Sequence, residues 1–283
     1  MNKILFFVIM AVTALGSCGN ANGDKIAGAG NKANDDSTLC QFSNIKVDKQ
    51  FSYCNGEGDT TYFDNRFTAL WPVIINGKPC DELQQALFRA MTDSADLNQL
   101  DKVVDYLLNP ATYTDCDTKR LTPVKTVKDD ENKLSTSEVN VTMQDMTDRL
   151  LTYRLSTYSY MAGGAHGIYA NNFVTYDLLR EKAVVLDDII ADTTLLRTAT
   201  LKSIKQTYDC GTDDLFIPDN GLLPLPRDFY IQDHVLHVVY QVYEIASYAQ
   251  GAFDAPIYPY MLKPEEMKSL FTPYGLQLIN YDL

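Results

Sequence analysis

The stretch that decides the fold spans residues 158–190 and reads YSYMAGGAHGIYANNFVTYDLLREKAVVLDDII. Two runs of apolar and aromatic residues flank the sequence GGAHG at residues 163–167. Alternating apolar residues on both sides of a glycine-rich segment predict two strands joined by a loop. We therefore expect a sheet in which one connecting loop carries a single histidine.

Further strands and helices are predicted on both sides of this stretch. Residues 42–53 and 61–75 are rich in aromatic and β-branched residues, and the sequence NGEGD between them predicts a hairpin. Apolar stripes predict helices that start at Asp81 and cover residues 97–108 and 193–208, and Asp192 is predicted to cap the last of them. The area that an indole buries favours a core position for Trp71.

The remaining patterns complete the predicted fold. Residues 150–160 and 235–245 have the apolar pattern of strands. Glu244 falls in the apolar phase of the second run, so its carboxylate needs either a solvated strand end or a partner. The prediction is an α+β fold with antiparallel or mixed sheets and helices packed on one face. It has two sheet-and-helix subdomains, at residues 39–135 and 136–283.

Composition limits the classes of partner. The chain has 283 residues, 46% of them hydrophobic, which is enough to bury a substantial core. Its formal net charge is -13, and an acidic surface disfavours binding to nucleic acid and anionic lipid. With only 3 histidines, a multi-histidine metal site is disfavoured, and we predict neither a metal nor a cofactor.

The N-terminus has the pattern of a bacterial lipoprotein signal. A short positive start precedes an apolar run at residues 4–15, which is shorter than the about 18 residues that span a bilayer. The sequence LGSC at residues 15–18 follows, so we expect residues 1–17 to be removed and Cys18 to carry the lipid. An ordinary secretory signal or a single anchor helix is the alternative. Residues 18–38 are predicted to be a flexible tether.

This signal predicts where the protein works. An exported lipoprotein is anchored at the cell envelope, on the periplasmic side of a membrane such as the outer membrane or at the cell surface. That compartment is oxidising, so the five cysteines after Cys18 favour two disulfides and one odd thiol. We expect the pairs Cys40–Cys54 and Cys80–Cys116, because each ties segments that are close in sequence.

Four motifs occur in an order that carries a family resemblance. They are PVIING at residues 72–77 before the Asp81 helix, GGAHG at 163–167, YEIASYAQG at 243–251 and IYPY at 257–260. Together they resemble the paired extracellular domains of unknown function found in lysozyme-sensing anti-sigma factors and beside peptidoglycan deacetylase domains. The resemblance implies an α+β fold, no established catalysis and, in the sensor members, direct binding of lysozyme. We expect no cytoplasmic sigma-binding segment and no deacetylase domain in this chain.

The glycine loop is the main candidate site. Its glycines permit positive φ, so its N–H groups could form an anion nest with the histidine as donor or base. A bulge or tight crossover with the histidine bonded to a carbonyl is the structural alternative. The acidic pair at residues 187 and 188 resembles a metal half-site, but solvated carboxylates at a helix approach explain it more simply. The candidate ligand-binding residues are Gly163, Gly164, His166, Gly167, Tyr169, Tyr243, Glu244 and Tyr248.

Two functional hypotheses of different class follow. The first, which we favour, is a lipid-anchored, non-catalytic envelope domain that binds a protein or a cell-wall glycan. A cationic partner such as lysozyme suits the charge. The second is a hydrolase that modifies the peptidoglycan of the cell wall and uses His166 and Glu244 as an acid–base pair. A hydrogen bond between these two side chains in an open cleft would favour the enzyme.

Overall fold

The computed structural model describes residues 40–92, 96–127, 130, 132–208 and 210–281. It confirms the α+β class, with antiparallel and mixed sheets and helices packed against them. The predicted signal, the lipidated Cys18 and the tether lie outside the described residues. In the part of the chain that is described, no helix is long and apolar enough to cross a membrane.

A large mixed sheet forms the first half of the fold. Its order is β4-β1-β2-β5-β6-β7-β8, with β3 paired to β2, and its neighbours are antiparallel except for the parallel pair β2 and β5. The predicted hairpin at residues 55–59 is confirmed, and so are the two strands predicted on either side of the glycine loop, which pair as β6 and β7. The strands are β1 (Gln41–Cys54), β2 (Thr60–Ile75), β3 (Lys78–Pro79), β4 (Leu121–Pro123), β5 (Leu134–Met146), β6 (Leu150–Tyr160), β7 (Ile168–Asp177) and β8 (Lys182–Ala183).

One face of this sheet is covered by the helices α1 (Asp81–Thr92) and α2 (Leu100–Leu107). Alternate residues of β2, β5, β6 and β7 point into the core between the sheet and the helices. Trp71 is 5% exposed and stacks on Phe88 of α1 with ring centroids 5.2 Å apart, which confirms its core position. Leu83 and Leu87 of α1 are fully buried, and each contributes roughly 2 kcal/mol through burial.

A small antiparallel sheet forms the second half, with β10 (Val235–Tyr240) between β9 (Asp228–Gln232) and β11 (Phe253–Ile257). It shares a second core with helices α4 (Thr193–Tyr208), α5 (Pro264–Leu270) and α6 (Pro273–Leu278). A short helix, α3 (Leu186–Ile189), precedes α4. Asp192 caps α4, because its carboxylate accepts from the backbone N–H groups of Thr194 and Leu195, both at 2.9 Å.

The strands do not divide at the predicted boundary between residues 135 and 136. Six residue pairs join β2 to β5 directly across this point, from Asp64 with Thr136 to Ala69 with Val141. The large sheet is therefore continuous from residue 41 to residue 183. Whether residues 39–135 fold independently of residues 136–283 stays a prediction.

The predicted disulfides do not form. Cys40 and Cys54 lie at opposite ends of β1, whose 14 residues span roughly 40 Å, whereas bonded cysteines need Cα atoms within about 7 Å. The prediction overlooked that a strand separates residues that are close in sequence. Cys80 and Cys116 are likewise not joined. Burial raises the pKa of the Cys80 thiol to about 11, so it is a neutral core residue.

Candidate functional site

The glycine loop (residues 161–167) is an exposed connection between β6 and β7. It begins with a tight turn in which the Gly164 N–H donates to the Met161 carbonyl at 2.8 Å. Gly163 occupies the third position of this turn with φ +72°, which is the conformation that a type II turn reserves for glycine. A Cβ on Gly164 would lie 2.9 Å from the Met161 oxygen. Both glycines are thus required by the turn itself.

His166 lies on the surface and stacks on Tyr248, with ring centroids 4.0 Å apart and planes inclined by 22°. Its Nδ1 lies 3.0 Å from the Gly167 carbonyl oxygen, which also accepts from the Tyr248 hydroxyl at 2.8 Å. These contacts join the glycine loop to a segment 81 residues later. The structure therefore brings together His166, Gly167 and Tyr248, as the candidate site requires.

Three more tyrosines surround this stack. Tyr169 and Tyr243 lie 6.2 Å and 5.5 Å from the Tyr248 ring, centroid to centroid. Tyr158, opposite Tyr169 on β6, has its ring against Gly167. Tyr158 is 41% exposed and Tyr243 is 52% exposed. We call Tyr158, Tyr169, Tyr243, Tyr248 and His166 the tyrosine cluster.

Glu244 bonds locally and not to the histidine. Its Oε2 accepts from the Gln241 N–H at 2.9 Å, which closes the turn that follows β10. Among the described residues, no hydrogen bond joins His166 to Glu244. The requirement that Glu244 have a partner is met, but the acid–base pair of the hydrolase hypothesis is not assembled.

Gln241 explains why the predicted strand at residues 235–245 ends at Tyr240. Its side-chain amide accepts from the Asn171 N–H at 2.9 Å and donates to the Asn171 carbonyl at 2.7 Å. The side chain thus bonds to β7 as a neighbouring strand would. The backbone turns away instead of continuing, and Tyr243 adopts φ +67°, a left-handed conformation that is uncommon outside glycine.

Asp228 lies beneath this turn. Burial raises its pKa above the ordinary value and the nearby Glu244 adds to the effect, although bonds from Gln241, the Phe173 backbone and Asn172 oppose it. The Gln241 amide donates to Asp228 Oδ2 at 3.3 Å. The hydrogen bonds of Gln241 and Asp228 to β7 therefore fix the position of the tyrosine cluster relative to the large sheet.

A second polar cluster was missed at the level of sequence. Asp254 on β11 accepts from the Tyr230 hydroxyl at 2.5 Å and lies 2.8 Å from His237 Nδ1. Tyr230 stacks between Phe173 and His237, with both centroid distances 4.4 Å. Burial and the bond to Asp254 raise the pKa of Tyr230.

This second cluster opens onto a pocket of about 220 Å³, to which Arg154 of β6 also contributes. The Asp254 carboxylate fixes one nitrogen of the His237 ring, which is how proteins orient a histidine for proton transfer. One signal of this cluster was present in the sequence. His237 lies between the core residues Leu236 and Val238, so its side chain must point to the opposite face of the strand. Its partner 17 residues later could not be identified from spacing alone.

No three His, Cys, Asp or Glu side chains are grouped as a metal site requires, within the part of the chain that the structure describes. The acidic pair after β8 has a simpler role. Asp188 lies 3.3 Å from the Lys182 ammonium in an exposed ion pair. Both carboxylates lie in the first turn of α3, where the helix dipole favours negative charge.

Comparisons with known proteins agree with the fold. Residues 177–258 match the family described as "Protein of unknown function (DUF3298)". The chain therefore carries a domain of unknown function, as the resemblance implied. This range contains Tyr243 and Tyr248 but not the glycine loop.

Two solved structures are similar to this chain. One is a member of the DUF3298 family from Bacteroides fragilis NCTC 9343, with a TM-score of 0.58, 19% identity, and coverage of 85% of this chain and 96% of that chain. It shows a shared fold. The other is a DUF3298 family protein from Pseudomonas aeruginosa PAO1, with a TM-score of 0.47, 15% identity, and coverage of 82% and 95%. No curated protein matches the chain.

Proposed function

We propose that this protein is a lipid-anchored, non-catalytic domain of the cell envelope that binds a cationic protein, such as lysozyme, through the tyrosine cluster. The observation that carries the proposal is the exposed aromatic surface around the glycine loop. Tyrosine is enriched at protein interfaces, because its ring buries apolar area while its hydroxyl keeps a hydrogen-bond partner. Ile168, 51% exposed, and Met161, 44% exposed, extend the apolar part of this surface.

The rigidity of the tyrosine cluster supports binding. Tyr248 is held by the Gly167 carbonyl and by the His166 stack, so little side-chain freedom remains to be lost. Pre-organised aromatic side chains bind more tightly than mobile ones, because immobilising a free side chain costs about 1 kcal/mol. The left-handed conformation of Tyr243 is a further sign of a functional surface, since strained backbone concentrates at such sites.

The charge of the chain favours a cationic protein over a neutral glycan. The formal net charge of -13 attracts a basic partner over distances of about a Debye length, roughly 10 Å at 0.1 M salt. This attraction raises the association rate and gives binding a salt dependence. The predicted lipid on Cys18 and the tether would place the cluster away from the membrane surface, where an extracellular protein can reach it.

No observation favours the alternative hydrolase with His166 and Glu244 as an acid–base pair. The two side chains bond to different partners, and Glu244 is engaged with the backbone of its own turn. A cell-wall glycan remains the second kind of ligand that stacked tyrosines accommodate. A glycan becomes the proposed ligand if lysozyme does not bind in the titration described next and cell-wall fragments do.

The test is a calorimetric titration of the fragment from Gly19 onward with lysozyme at low and moderate salt. We expect binding that weakens as salt increases. Tyr243→Ala should weaken it about tenfold, the effect of losing about 1.4 kcal/mol at an interface tyrosine. Tyr260→Ala is the matched control, because Tyr260 is 81% exposed, lies outside the cluster and should leave binding unchanged. Equal effects of both variants, or no binding at high micromolar concentration, would overturn the proposal.

Gly167→Ala tests the position of Tyr158 without removing a side chain. A Cβ at residue 167 would lie 2.5 Å from the Tyr158 Cζ and hydroxyl oxygen, so the ring must swing away from the loop. Because this is the free end of a half-exposed side chain, we expect a stability loss below about 1 kcal/mol. Binding should weaken about as much as in Tyr158→Ala, and the double variant should lose no more than either alone. Additive losses in the titration would show that Tyr158 is not the group displaced.

A further inference from the structure

An open cavity of about 760 Å³ lies at the end of β6 opposite the glycine loop. Three segments enclose it: the turn between β5 and β6, the turn between β9 and β10, and the end of α6. The 11 residues of β6 span roughly 35 Å, so the cavity and the tyrosine cluster are separate places on the molecule. Cavities of this size, between structural layers, are where small-molecule sites commonly occur.

The charged groups that line the cavity are mainly acidic, and Asp148 is one of them. Asp145, at the end of β5, and Asp233, in the β9–β10 turn, both line it, together with His234. Burial raises the pKa of Asp145, and the nearby charge of Asp233 raises it further. Asp233 and His234 have φ of +50° and +62°, so the turn presents both side chains from a fixed left-handed backbone.

Arg149, in the turn between β5 and β6, also lines the cavity. One terminal nitrogen of its guanidinium lies 3.5 Å from Asp177, which is a long contact for an ion pair. The Nε atom is buried and has no hydrogen-bond partner among the described residues. The Arg149 side chain is 28% exposed, so its outer N–H groups, which form a fork that fits a carboxylate, can donate to a ligand.

From this arrangement we propose that the cavity binds a small zwitterion, an amino acid or a short peptide. The carboxylate of the ligand would bond to Arg149, and its ammonium group would lie between Asp145 and Asp233. The apolar side chains that line the same space, Leu150, Ile231 and Leu278, would contact the part of the ligand between the two charges. A ligand with one charge alone would leave either Arg149 or the carboxylates without a counter-charge.

The experiment is a calorimetric titration of the full-length chain with alanine, alanylalanine and trialanine, which place the two charges at increasing separations. At least one should bind with a dissociation constant below about 1 mM. The acetylated form, which lacks the ammonium group, and the amide form, which lacks the carboxylate, should each bind at least about fivefold more weakly.

Two variants assign the charges. Asp233→Asn keeps a residue that tolerates the left-handed turn, and should weaken the zwitterion about fivefold while leaving the acetylated peptide unchanged. Arg149→Lys keeps a positive charge beside Asp177, and should weaken the zwitterion but not the amide. Asp219→Asn is the control, because it removes one exposed carboxylate that does not line the cavity. The proposal is overturned if none of the three ligands binds with a dissociation constant below about 1 mM, or if blocking either charge has no effect.

Discussion

Replacing Asp177 with asparagine is expected to lower the free energy of unfolding by about 3 kcal/mol at neutral pH. Asp177 is fully buried at the end of β7. One carboxylate oxygen accepts from the backbone N–H groups of Leu179 and Arg180, at 2.8 Å and 3.0 Å. The other accepts from the Tyr274 hydroxyl at 2.8 Å and faces Arg149. An asparagine would point its NH₂ group at donors in either orientation.

The position of Asp177 in the fold makes this loss larger than that of an ordinary ion pair. Its bonds connect the large sheet to α6, 97 residues later in the chain. Tyr274 is also held from above by the Arg180 guanidinium, 3.4 Å from the ring centroid. Losing the carboxylate leaves the Tyr274 hydroxyl and the backbone N–H groups of Leu179 and Arg180 without their acceptor, and unsatisfied buried donors are costly.

The effect of Asp177→Asn should depend on pH in one direction. Burial by itself would raise the pKa of Asp177, but the bonds from Arg180, Tyr274 and Leu179 and the charge of Arg149 together lower it. The carboxylate therefore contributes its stability above the unfolded pKa of about 3.9, and this contribution is lost as pH falls through the lower folded pKa. The difference in stability between the variant and the wild type should therefore shrink as pH falls through the lowered folded pKa of Asp177.

Urea unfolding at pH 7 and at acid pH measures this difference. Asp188→Asn is the matched control, because its pair with Lys182 is exposed and should contribute less than about 1 kcal/mol. An Asp177→Asn effect no larger than that of the control, or an effect that grows as pH falls, would contradict the assigned network.

The elements that were predicted correctly are those whose signals are local. The sequence NGEGD specifies the first hairpin, and Asp192 specifies the start of α4, because a capping carboxylate acts only on the next two or three N–H groups. The positive φ predicted for the glycine loop, which Gly163 adopts, likewise depends on adjacent residues. Such features require no knowledge of the rest of the chain.

The elements that were missed depend on distant contacts. The strand after Val235 ends early because Gln241 bonds to Asn171, 70 residues earlier, and no local pattern reports that bond. The same holds for the candidate site. His166, Tyr169, Tyr243 and Tyr248 were named from the sequence, but Tyr158 was not. The Tyr158 ring occupies the space beside Gly167, and only the folded structure shows this contact. Whether these residues bind a ligand stays a prediction.

Gly275→Ala is expected to lower the free energy of unfolding by about 2 kcal/mol. Gly275 lies in α6, where a Cβ would be well inside contact distance of the Ile189 carbonyl oxygen and 3.1 Å from the Ile189 Cα. The backbone there cannot yield easily, because Thr272 bonds to Asp188 and Ile189 on the same segment, at 2.7 Å and 2.9 Å.

Two opposing effects decide the size of this loss. Alanine favours a helix over glycine by about 1 kcal/mol, whereas overpacking against a fixed backbone costs about 3 kcal/mol, so the steric effect wins. Gly56→Ala is the control, because its nearest atom is the flexible Arg120 Nη1 at 3.5 Å, and it should change stability by less than about 0.5 kcal/mol. If thermal unfolding showed Gly275→Ala to be as stable as the wild type, α6 would not lie against Ile189. The second core, which α6 closes beside the proposed cavity, would then need a different packing.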